Sequence, residues 1–237
     1  MMRVGLFFLA AMLLSGKTFK DPLLILAIGD SITQGGKRSQ LEYTYRLPLQ
    51  ILLHEHEIAY DFIGSRQNGL DEGVNWPDVA EGIPFDPDHE GYYGNKTQDV
   101  CQKVKAAFAT YKVAPDIILI HLGTNDQKHG NFINTVDAPL RDLINFIREK
   151  NPGAVFLLGH LNFKGSQAAN EIREIVNNLA AEMNTSTSPI RTVPHYLNWR
   201  ENPEDIYTDT YDWAHPNIKG QEKMALKWFL ALKSLMK

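Results

Sequence analysis

The sequence predicts an α/β fold, a three-layer α/β/α sandwich built on a mostly parallel sheet. Short apolar runs alternate along the chain with amphipathic stretches of helical period. Several apolar runs lack the polar alternation of a sheet with one exposed face, so we expect both faces to be covered. Helices that connect parallel strands through right-handed crossovers supply that cover. The chain has 237 residues, of which 43% are hydrophobic, and this suits one domain with a substantial core.

Five apolar runs are the predicted strands, and they occupy residues 23–28, 60–64, 116–122, 154–159 and 190–193. Thr97 and Asp137 are residue types that cap helix N-termini, and each precedes a run of helical period. A third such run begins at Ser166. A fourth helix is predicted near the end of the chain. Apolar residues three or four positions apart line one face of each helix and are assigned to the core: Val100, Val104 and Phe108; Leu140, Leu143, Ile144 and Ile147; Ile172, Ile175, Leu179 and Met183; and Ile218, Met224, Trp228, Leu232 and Leu235.

One segment, residues 65–95, contains no predicted regular element. Loops of this length in compact domains usually serve a site. The alternating carboxylates Asp86, Asp88 and Glu90 raise the alternative of a calcium site, although they lack the full pattern of a calcium-binding loop. A solvated acidic loop is the preferred interpretation of residues 71–90.

Composition excludes several classes of partner. The net charge at pH 7 is −4, so the chain offers no positive field for nucleic acid or for an anionic bilayer. Cys101 is the only cysteine, which excludes an internal disulfide. Because it lies among apolar residues of a predicted helix, we interpret Cys101 as a buried structural thiol rather than a nucleophile.

The first 16 residues are predicted to be a secretory signal peptide. A short basic start at Arg3 precedes the apolar stretch 4–14, and small residues follow at the expected cleavage position. The stretch is too short to span a bilayer, so no stable membrane insertion is expected. The alternative is a buried first strand or helix. The prediction is therefore a signal peptide over residues 1–16, a single domain over residues 17–237, and a secreted or periplasmic location.

Two polar segments that lie far apart in the chain point to one chemistry. Ser31 directly follows the first predicted strand, while Asp212 and His215 follow the last one. In a parallel sheet the strand-to-helix connections emerge at one edge, so these side chains can meet there, together with Gly94 and Asn125. We predict that Ser31 is a nucleophile, that His215 is its base, and that Asp212 fixes the imidazole tautomer.

Three donors form the predicted oxyanion hole: the backbone N–H groups of Ser31 and Gly94 and the side-chain amide of Asn125. Each segment taken alone has a competing structural interpretation. Ser31 and Asn125 are residue types that cap helices, and residues 212–216 have the composition of a turn. Only their joint occurrence favours catalysis.

Other titratable residues compete for the same roles. Asp209 is an alternative orienting carboxylate for His215. His121 lies inside a predicted strand and is interpreted as a core histidine. The remaining histidines are weak candidates for the base: His89, His129, His160 and His195.

Four segments resemble, in order, the sequence blocks of the SGNH, or GDSL-like, hydrolase superfamily of serine esterases and lipases: Gly29-Asp30-Ser31-Ile32-Thr33, Gly94, Gly123-Thr124-Asn125-Asp126 and Asp212-Trp213-Ala214-His215-Pro216. The resemblance implies a flavodoxin-like sandwich, no metal and no cofactor. It also implies a triad of Ser31, Asp212 and His215, with Gly94 and Asn125 in the oxyanion hole.

A shorter resemblance concerns the substrate. Residues 89–94 read His-Glu-Gly-Tyr-Tyr-Gly and are similar to a segment of secreted carbohydrate esterases that remove acetyl groups from xylan. Those relatives commonly have Trp after the second Gly, whereas this chain has Asn95. The expected substrate is an acylated carbohydrate, in particular an acetylated one, or another small ester. Tyr92, Tyr93 and Trp213 are predicted to bind sugar rings.

Three alternatives remain open at this stage. A GDSL-type lipase, a lysophospholipase or a broad small-ester hydrolase would use the same mechanism on other esters. A noncatalytic carbohydrate-binding protein would keep the fold without the reaction. A metal-dependent phosphoesterase is disfavoured, because the spacings of candidate ligands are poor and no Asp-x-His pair follows the first strand.

Overall fold

The computed structural model describes residues 22–37, 43–128 and 130–236. The predicted signal peptide, residues 1–16, lies outside the described residues, and so does His129. Within the described ranges, no helix combines the length and the apolar character needed to cross a membrane.

Six strands and six α-helices make up the regular structure of the described residues. The strands are β1 (Leu23–Gly29), β2 (Tyr60–Ile63), β3 (Glu90–Gly91), β4 (Ile117–His121), β5 (Val155–Gly159) and β6 (Ile190–Val193). The helices are α1 (Ser31–Gln34), α2 (Arg46–Glu55), α3 (Thr97–Ala107), α4 (Ala138–Lys150), α5 (Gln167–Met183) and α6 (Ile218–Lys233). Short 3₁₀ turns cover Phe108–Thr110 and Thr124–Asp126, and a π-helical turn, Ile133–Asp137, leads into α4.

The sheet is parallel throughout and has the order β2-β1-β4-β5-β6, with the short β3 paired to the carboxyl end of β1. Apart from β3, this is the flavodoxin-like order, whose winding direction reverses between β1 and β4. The register places Gly29 of β1 opposite His121 of β4. The loops after these two strands therefore flank the crevice in which open α/β sheets bind ligands. The predicted α/β sandwich is confirmed.

Alternate residues of β1 belong to two separate cores. Leu24 and Leu26 pack in the core that also contains residues of α3, α4 and α5. Leu23 and Ile25 pack in the core that contains residues of α2 and α6. Since all four side chains are buried, the strand has a continuous apolar sequence rather than an alternating one.

The five predicted strands are all present, and each of their ends lies within one residue of the expected position. The sequence did not predict β3. This strand has only two residues and no apolar run of its own, and it forms because Glu90 and Gly91 pair with Ile28 and Gly29 of β1. Its existence depends on a long-range contact rather than on local sequence.

Neither of the two predicted helix caps makes the expected hydrogen bond. Ser166, predicted to begin a helix, is the N-cap of α5 and accepts a backbone N–H of its first turn at 3.2 Å. Thr97 is instead the first residue of α3, and its hydroxyl donates to Asp126 at 2.8 Å. Asp137 forms an ion pair with Arg141 at 2.7 Å, because the preceding π-helical turn already starts the helix and leaves no cap to make.

The long segment between β2 and β3 is irregular, as predicted, and buried Arg46 of α2 ties it to the sheet edge. The guanidinium donates to four backbone carbonyls at 2.9 to 3.3 Å, two in the loop and two in α1: Pro87, Asp88, Thr33 and Gln34. One side chain therefore joins the loop to the helical turn that follows β1.

Two acidic residues of this segment are less solvated than predicted. Glu90 is fully buried and accepts hydrogen bonds from the hydroxyls of Tyr92 and Tyr111. Asp86 accepts the backbone N–H of Phe62 at 2.8 Å, and burial raises the pKa of Asp86 to about 6. The interpretation as a solvated acidic loop is wrong for these two carboxylates, because donors of the chain itself hold their oxygens.

Cys101 lies in α3 with 2% of its surface exposed. Burial, together with the nearby charge of Asp142, raises the pKa of its thiol to about 12. Such a thiol stays protonated at neutral pH. The predicted buried cysteine is confirmed.

Candidate active site

The turn after β1 presents Ser31 at the carboxyl edge of the sheet. Asp30 is the N-cap of α1, and its Oδ1 accepts a backbone N–H of the first turn at 3.0 Å. Gly29 is required just before it, since a Cβ there would lie 2.1 Å from Thr33 Oγ1 and 2.8 Å from the carbonyl oxygen of His121. Close packing at the end of β1 thus fixes where the hydroxyl of Ser31 emerges.

A hydrogen-bonded chain joins Ser31 to the loop between β6 and α6. His215 Nε2 lies 2.9 Å from Ser31 Oγ, and His215 Nδ1 lies 2.8 Å from Asp212 Oδ2. The other carboxylate oxygen, Asp212 Oδ1, accepts the backbone N–H groups of Ala214 and His215, each at 2.8 Å. The fold therefore brings together a hydroxyl and an imidazole that lie 184 positions apart in the chain.

Two aspartates near Ser31 have opposite electrostatic environments. Partial burial acts to raise the pKa of Asp212, but hydrogen bonds from His215 and Ala214 hold that pKa below its ordinary value. Complete burial raises the pKa of Asp30 to about 6. An ionised Asp212 favours a proton on His215 Nδ1 and stabilises the imidazolium that forms when Nε2 gains a second proton.

The competing carboxylate, Asp209, lies elsewhere. It is 1% exposed, accepts the backbone N–H of Arg200 at 2.8 Å and is paired with Lys223 at 2.6 Å. The structure therefore places Asp212, and not Asp209, against the imidazole of His215.

Two of the three predicted oxyanion donors, Gly94 and Asn125, lie in loops that are hydrogen-bonded to each other. Asn125 belongs to the 3₁₀ turn Thr124–Asp126, which follows Gly123 in the left-handed region at φ +115°. Its Nδ2 donates to the carbonyl oxygen of Asn95 at 2.9 Å. Gly94 directly precedes Asn95 and also has a positive φ, +72°. The loop after β3 and the loop after β4 are thus joined beside the end of β1.

Gly91 and Gly94 have different structural reasons to be glycine. A Cβ on Gly91 would lie 2.5 Å from the backbone nitrogen of Gln34, so this glycine allows β3 to pack against α1. A Cβ on Gly94 would meet nothing within 4 Å, so the requirement there comes from the backbone conformation. Of these two glycines, only Gly94 has open space at the position of a Cβ.

The two predicted sugar-binding tyrosines make contacts within the protein. Tyr93 is stacked on His215, with ring centroids 5.4 Å apart and planes inclined by 19°. The hydroxyl of Tyr92 donates to Glu90 at 2.5 Å, and the guanidinium of Arg66 lies over the Tyr92 ring at 4.6 Å. These contacts place Tyr93 against the imidazole of His215 and Tyr92 in a packed cluster with Glu90 and Arg66.

Trp213, the third predicted aromatic, is more open. Its side chain belongs to the loop that carries Asp212 and His215, and 55% of its surface is exposed. Phe163 lies nearly parallel to it, with ring centroids 6.1 Å apart and planes inclined by 19°.

The other histidines that were candidates for the base are buried wherever the structure describes them. His89 is buried, and its Nδ1 accepts the backbone N–H of Gly91 at 2.8 Å. Three more are buried at the carboxyl ends of β4, β5 and β6: His121, His160 and His195. His121 is buried, as expected of a core histidine, but neither of its ring nitrogens has a hydrogen-bond partner within the described residues.

Sequence reasoning missed Gln34, the last residue of α1. Its Oε1 accepts the backbone N–H of Tyr93 at 2.7 Å, and its side chain is buried. The bond fixes the start of the loop that contains Gly94. Because the partner lies 59 positions away, no local pattern identifies this glutamine.

A curated relative with a similar sequence is the multidomain esterase of Ruminococcus flavefaciens. The two are 25% identical over 241 residues, and the match covers 90% of this chain and 29% of the relative. The chain therefore spans less than a third of that protein's length.

Solved structures of similar fold include carbohydrate esterases. The family 3 carbohydrate esterase of Talaromyces cellulolyticus has a TM-score of 0.69 and 22% identity, covering 90% of this chain and 98% of that one. The family 3 carbohydrate esterase of Clostridium thermocellum has a TM-score of 0.68 and 23% identity, covering 91% of this chain and 99% of that one. At these identities the likeness establishes the fold.

The GDSL-like lipase/acylhydrolase family matches residues 27–223, from the end of β1 into α6. This range includes both strand ends that flank the crevice and the whole loop that carries Asp212 and His215. The match confirms the predicted resemblance and the predicted class of enzyme, a serine carboxylic-ester hydrolase. The chain belongs to the GDSL-like lipase/acylhydrolase family.

Proposed function

We propose that the protein is a secreted serine esterase that removes acetyl and other small acyl groups from a carbohydrate through an acyl-Ser31 intermediate. The observation that carries the proposal is the chain of hydrogen bonds from Ser31 through His215 to Asp212, at 2.9 and 2.8 Å. A hydroxyl, an imidazole and a carboxylate in this relation activate the oxygen for attack on an acyl carbon.

In the acylation step, Ser31 Oγ forms a bond to the acyl carbon while its proton moves to His215 Nε2. The carbonyl oxygen of the ester becomes an oxyanion. When the tetrahedral intermediate collapses, the bond to the sugar oxygen breaks and that oxygen takes the proton from His215 Nε2. The products of this step are a free sugar hydroxyl and an acyl ester on Ser31.

The oxyanion needs donors that are already in place. We assign this role to the backbone N–H groups of Ser31 and Gly94 and to the side-chain amide of Asn125. The exposed position of Gly94 and the bond that ties Asn125 to the adjacent loop support the assignment. Removal of one such donor typically costs about 3 to 4 kcal/mol of transition-state stabilisation.

Deacylation repeats the same proton transfers with water. His215 Nε2 takes a proton from a water molecule as the water oxygen bonds to the acyl carbon. Collapse breaks the bond to Ser31 Oγ, which recovers the proton from His215 and leaves a free carboxylic acid. Tyr93, stacked on His215, helps to hold the imidazole in one orientation during both steps.

We propose, for two reasons, that the alcohol part of the ester substrate is a carbohydrate. The relatives named above include carbohydrate esterases, and residues 89–94 resemble the corresponding segment of xylan-acetyl esterases. In addition, Trp213 exposes an aromatic ring beside the catalytic loop, which suits stacking against a sugar. We assign sugar binding to Trp213 first, because the rings of Tyr92 and Tyr93 already contact Arg66 and His215.

The decisive experiment measures release of acetate from acetylated xylan, pectin and chitin fragments by mass spectrometry. Wild type should release acetate from at least one polysaccharide, and Ser31→Ala should lose the activity by at least about 10⁴-fold because it lacks the nucleophile. Ser234→Ala, which removes a hydroxyl that donates to the carbonyl oxygen of Ala231 at the end of α6, is the matched control and should keep the activity. Equal activity of wild type and Ser31→Ala would refute the mechanism.

The same preparation separates the alternative functions. A series of activated esters of increasing acyl length should give its highest rates at acetate, and rates that peak at long chains would support a lipase instead. A fluorophosphonate should label Ser31 in wild type. Glycan binding without labelling and without hydrolysis would support the noncatalytic carbohydrate-binding protein.

Secretion is the part of the proposal that depends on residues 1–16. Mature protein isolated from outside the cytoplasm should have an N-terminus near residue 17. Recovery of the protein only from the cytoplasm, with Met1 or Met2 at its N-terminus, would contradict it.

A further inference from the structure

We propose that Asn95 is a positioning residue that holds the side-chain amide of Asn125 and the loop of Gly94 in their catalytic arrangement. The inference deepens the proposed function and rests on it. Asn95 is also the position at which this chain departs from the xylan-acetyl esterases that it resembles, which commonly have Trp there. The question is therefore what an asparagine does at this point of the fold.

Four hydrogen bonds converge on Asn95, and its backbone N–H donates the first of them to the carbonyl oxygen of Tyr92 at 3.1 Å. Its carbonyl oxygen accepts Nδ2 of Asn125 at 2.9 Å. Its own Nδ2 donates to the carbonyl oxygen of Tyr93 at 2.9 Å, and its Oδ1 accepts Lys103 Nζ from α3 at 2.6 Å. Both ends of one short side chain and its backbone carbonyl are thus occupied. The residue closes the turn around Gly94 and links it to the loop after β4.

The bond to Asn125 determines the direction of the other donor on that amide. A carboxamide is planar and carries two N–H groups. When one of them is held by the carbonyl of Asn95, the direction of the second is fixed with respect to Ser31. An oxyanion donor that is set before the substrate arrives costs no reorganisation during the reaction.

The two hydrogen bonds of the Asn95 side chain hold its backbone carbonyl, the group that accepts Nδ2 of Asn125. Gly94 is exposed and has a φ of +72°, a conformation that does not by itself keep a short loop in one place. The link from Asn95 Nδ2 to Tyr93 closes this turn internally. The link from Lys103 attaches it to α3. A tryptophan at this position could not accept a hydrogen bond from Lys103, because its indole has one donor and no acceptor.

The test is a double-mutant cycle between Asn95 and Asn125 with p-nitrophenyl acetate as the probe. Asn95→Ala keeps the backbone carbonyl but loses both side-chain bonds, and kcat should fall by about 10- to 100-fold with KM changed by less than about twofold. In the Asn125→Ala background, the same substitution should lower kcat by a clearly smaller factor than in wild type, because one of the two donors that Asn95 positions is already gone.

Three further variants keep the proposal testable if Asn95→Ala folds poorly. Asn95→Asp retains an acceptor for Lys103 and loses the donor to Tyr93, so it should also lower kcat. Lys103→Met removes the attachment to α3 and should cause a smaller loss of kcat in the same direction. An Asn95→Gln variant, which keeps both functional groups, should recover part of the lost rate.

Asn151→Ala is the matched structural control. Asn151 also donates its side-chain amide to a backbone carbonyl, that of Pro115 at 2.9 Å, but it does so at the amino ends of β4 and β5. Its replacement should lower the unfolding temperature and leave kcat unchanged.

Losses of kcat that simply multiply in the double mutant would overturn the inference, as would a change confined to KM or a loss of kcat explained by unfolding. These results would leave the proposed function intact, provided that wild type hydrolyses the ester and Ser31→Ala does not. An inactive wild type would refute both.

Discussion

At the level of single residues, the proposed chemistry depends on the two oxygens of Asp212 having different partners. Oδ2 faces the Nδ1 of His215, while Oδ1 accepts two backbone N–H groups of its own loop. The carboxylate therefore cannot rotate without losing three hydrogen bonds. This arrangement selects the tautomer in which Nε2 accepts the proton of Ser31.

Replacement of Asp212 by Asn should reverse that tautomer. The two backbone N–H groups will retain the amide oxygen at the place of Oδ1, so the NH₂ group will face His215 Nδ1. His215 will then carry its proton on Nε2 and cannot accept one from Ser31. We expect kcat for p-nitrophenyl acetate to fall by about 10⁴-fold, with circular dichroism unchanged.

Asp209→Asn is the control for this measurement. It removes the charge paired with Lys223, and it should lower the free energy of unfolding while leaving kcat near the wild-type value. A larger loss of kcat in Asp209→Asn than in Asp212→Asn would exchange the roles of the two aspartates.

Trp213 provides a second prediction at this scale. If its exposed ring stacks on sugar, Trp213→Ala should raise KM for acetylated xylo-oligosaccharides by about 3- to 10-fold, which corresponds to the worth of one aromatic contact. Hydrolysis of p-nitrophenyl acetate should not change, since that small ester does not extend beyond the acyl group and its leaving group.

Tyr207→Ala is the matched comparison, because Tyr207 is another exposed aromatic of the loop between β6 and α6, with 59% of its surface exposed. It lines a separate groove with Arg200 and Leu226. Its replacement should affect neither substrate. An equal effect of both variants on the oligosaccharide would argue against a specific role of Trp213.

At the level of elements, the buried side chain of Arg46 connects parts that the sequence keeps apart. It donates to carbonyls of α1, which begins with Ser31, and to carbonyls of the loop before β3. The rings of Trp76 and Phe85 lie beside its guanidinium at 5.8 and 5.2 Å. These contacts anchor the irregular loop to α2 at this point.

Arg46→Met should loosen both ends of this connection. It removes the guanidinium donor from four carbonyls, of which those of Thr33 and Gln34 are buried, and a lost partner in the interior costs about 1 to 3 kcal/mol for each group that water cannot reach. We expect the free energy of unfolding in urea to fall by about 3 kcal/mol or more. Limited proteolysis should cut within residues 65–89 faster than in wild type.

Arg148→Met serves as the comparison for Arg46. Arg148 also bonds to backbone carbonyls, those of Met183 and Ser188, but on the far side of the molecule. It should reduce stability without exposing residues 65–89 to protease. Equal cleavage of that loop in both variants would show that general destabilisation, and not Arg46, controls it.

At the level of the whole molecule, the carboxyl edge of the sheet carries three buried histidines in addition to the candidate active site. His121, His160 and His195 come from the carboxyl ends of three adjacent strands. The rings of His121 and His195 lie 5.6 Å apart, and His195 lies 4.6 Å from the ring of Trp228. Burial lowers the pKa of His121 and of His160 to about 4, and it holds the pKa of His195 well below its usual range.

These histidines should make the fold sensitive to acid. Between pH 6.5 and about 4 the unfolded chain binds protons at these positions that the folded chain does not, so the free energy of unfolding falls as the pH falls. Asp30 and Asp86 act in the opposite direction, because burial raises the pKa of each to about 6 in the folded state. A histidine variant is therefore needed to isolate the effect.

His195→Phe should reduce the loss of stability between pH 7 and pH 5 by about 2 kcal/mol, as measured by urea unfolding at both values. His54→Gln, at an exposed position of α2, should leave that loss unchanged. If His195→Phe loses as much stability at pH 5 as wild type does, the buried histidines do not control the acid response.

Local sequence was sufficient to identify the regular strands and helices. Strand β1 is buried on both faces, so its apolar run could be identified without knowing its neighbours. Ser166 caps its own helix, and its partner lies three positions away. Thr97 and Asp137 could not be interpreted in the same way, because Asp126 and Arg141 compete for their side chains.

The sequence by itself determined the strand-and-helix alternation and the set of reactive residues, because periodicity and residue type are properties of neighbouring positions. Only the tertiary structure decided which carboxylate faces His215, that Gln34 holds Tyr93, and that Asn95 and Asn125 share a bond. The physical reason is that these contacts join loops from different strands. Their partners are set by the order and register of the sheet, which no single segment encodes.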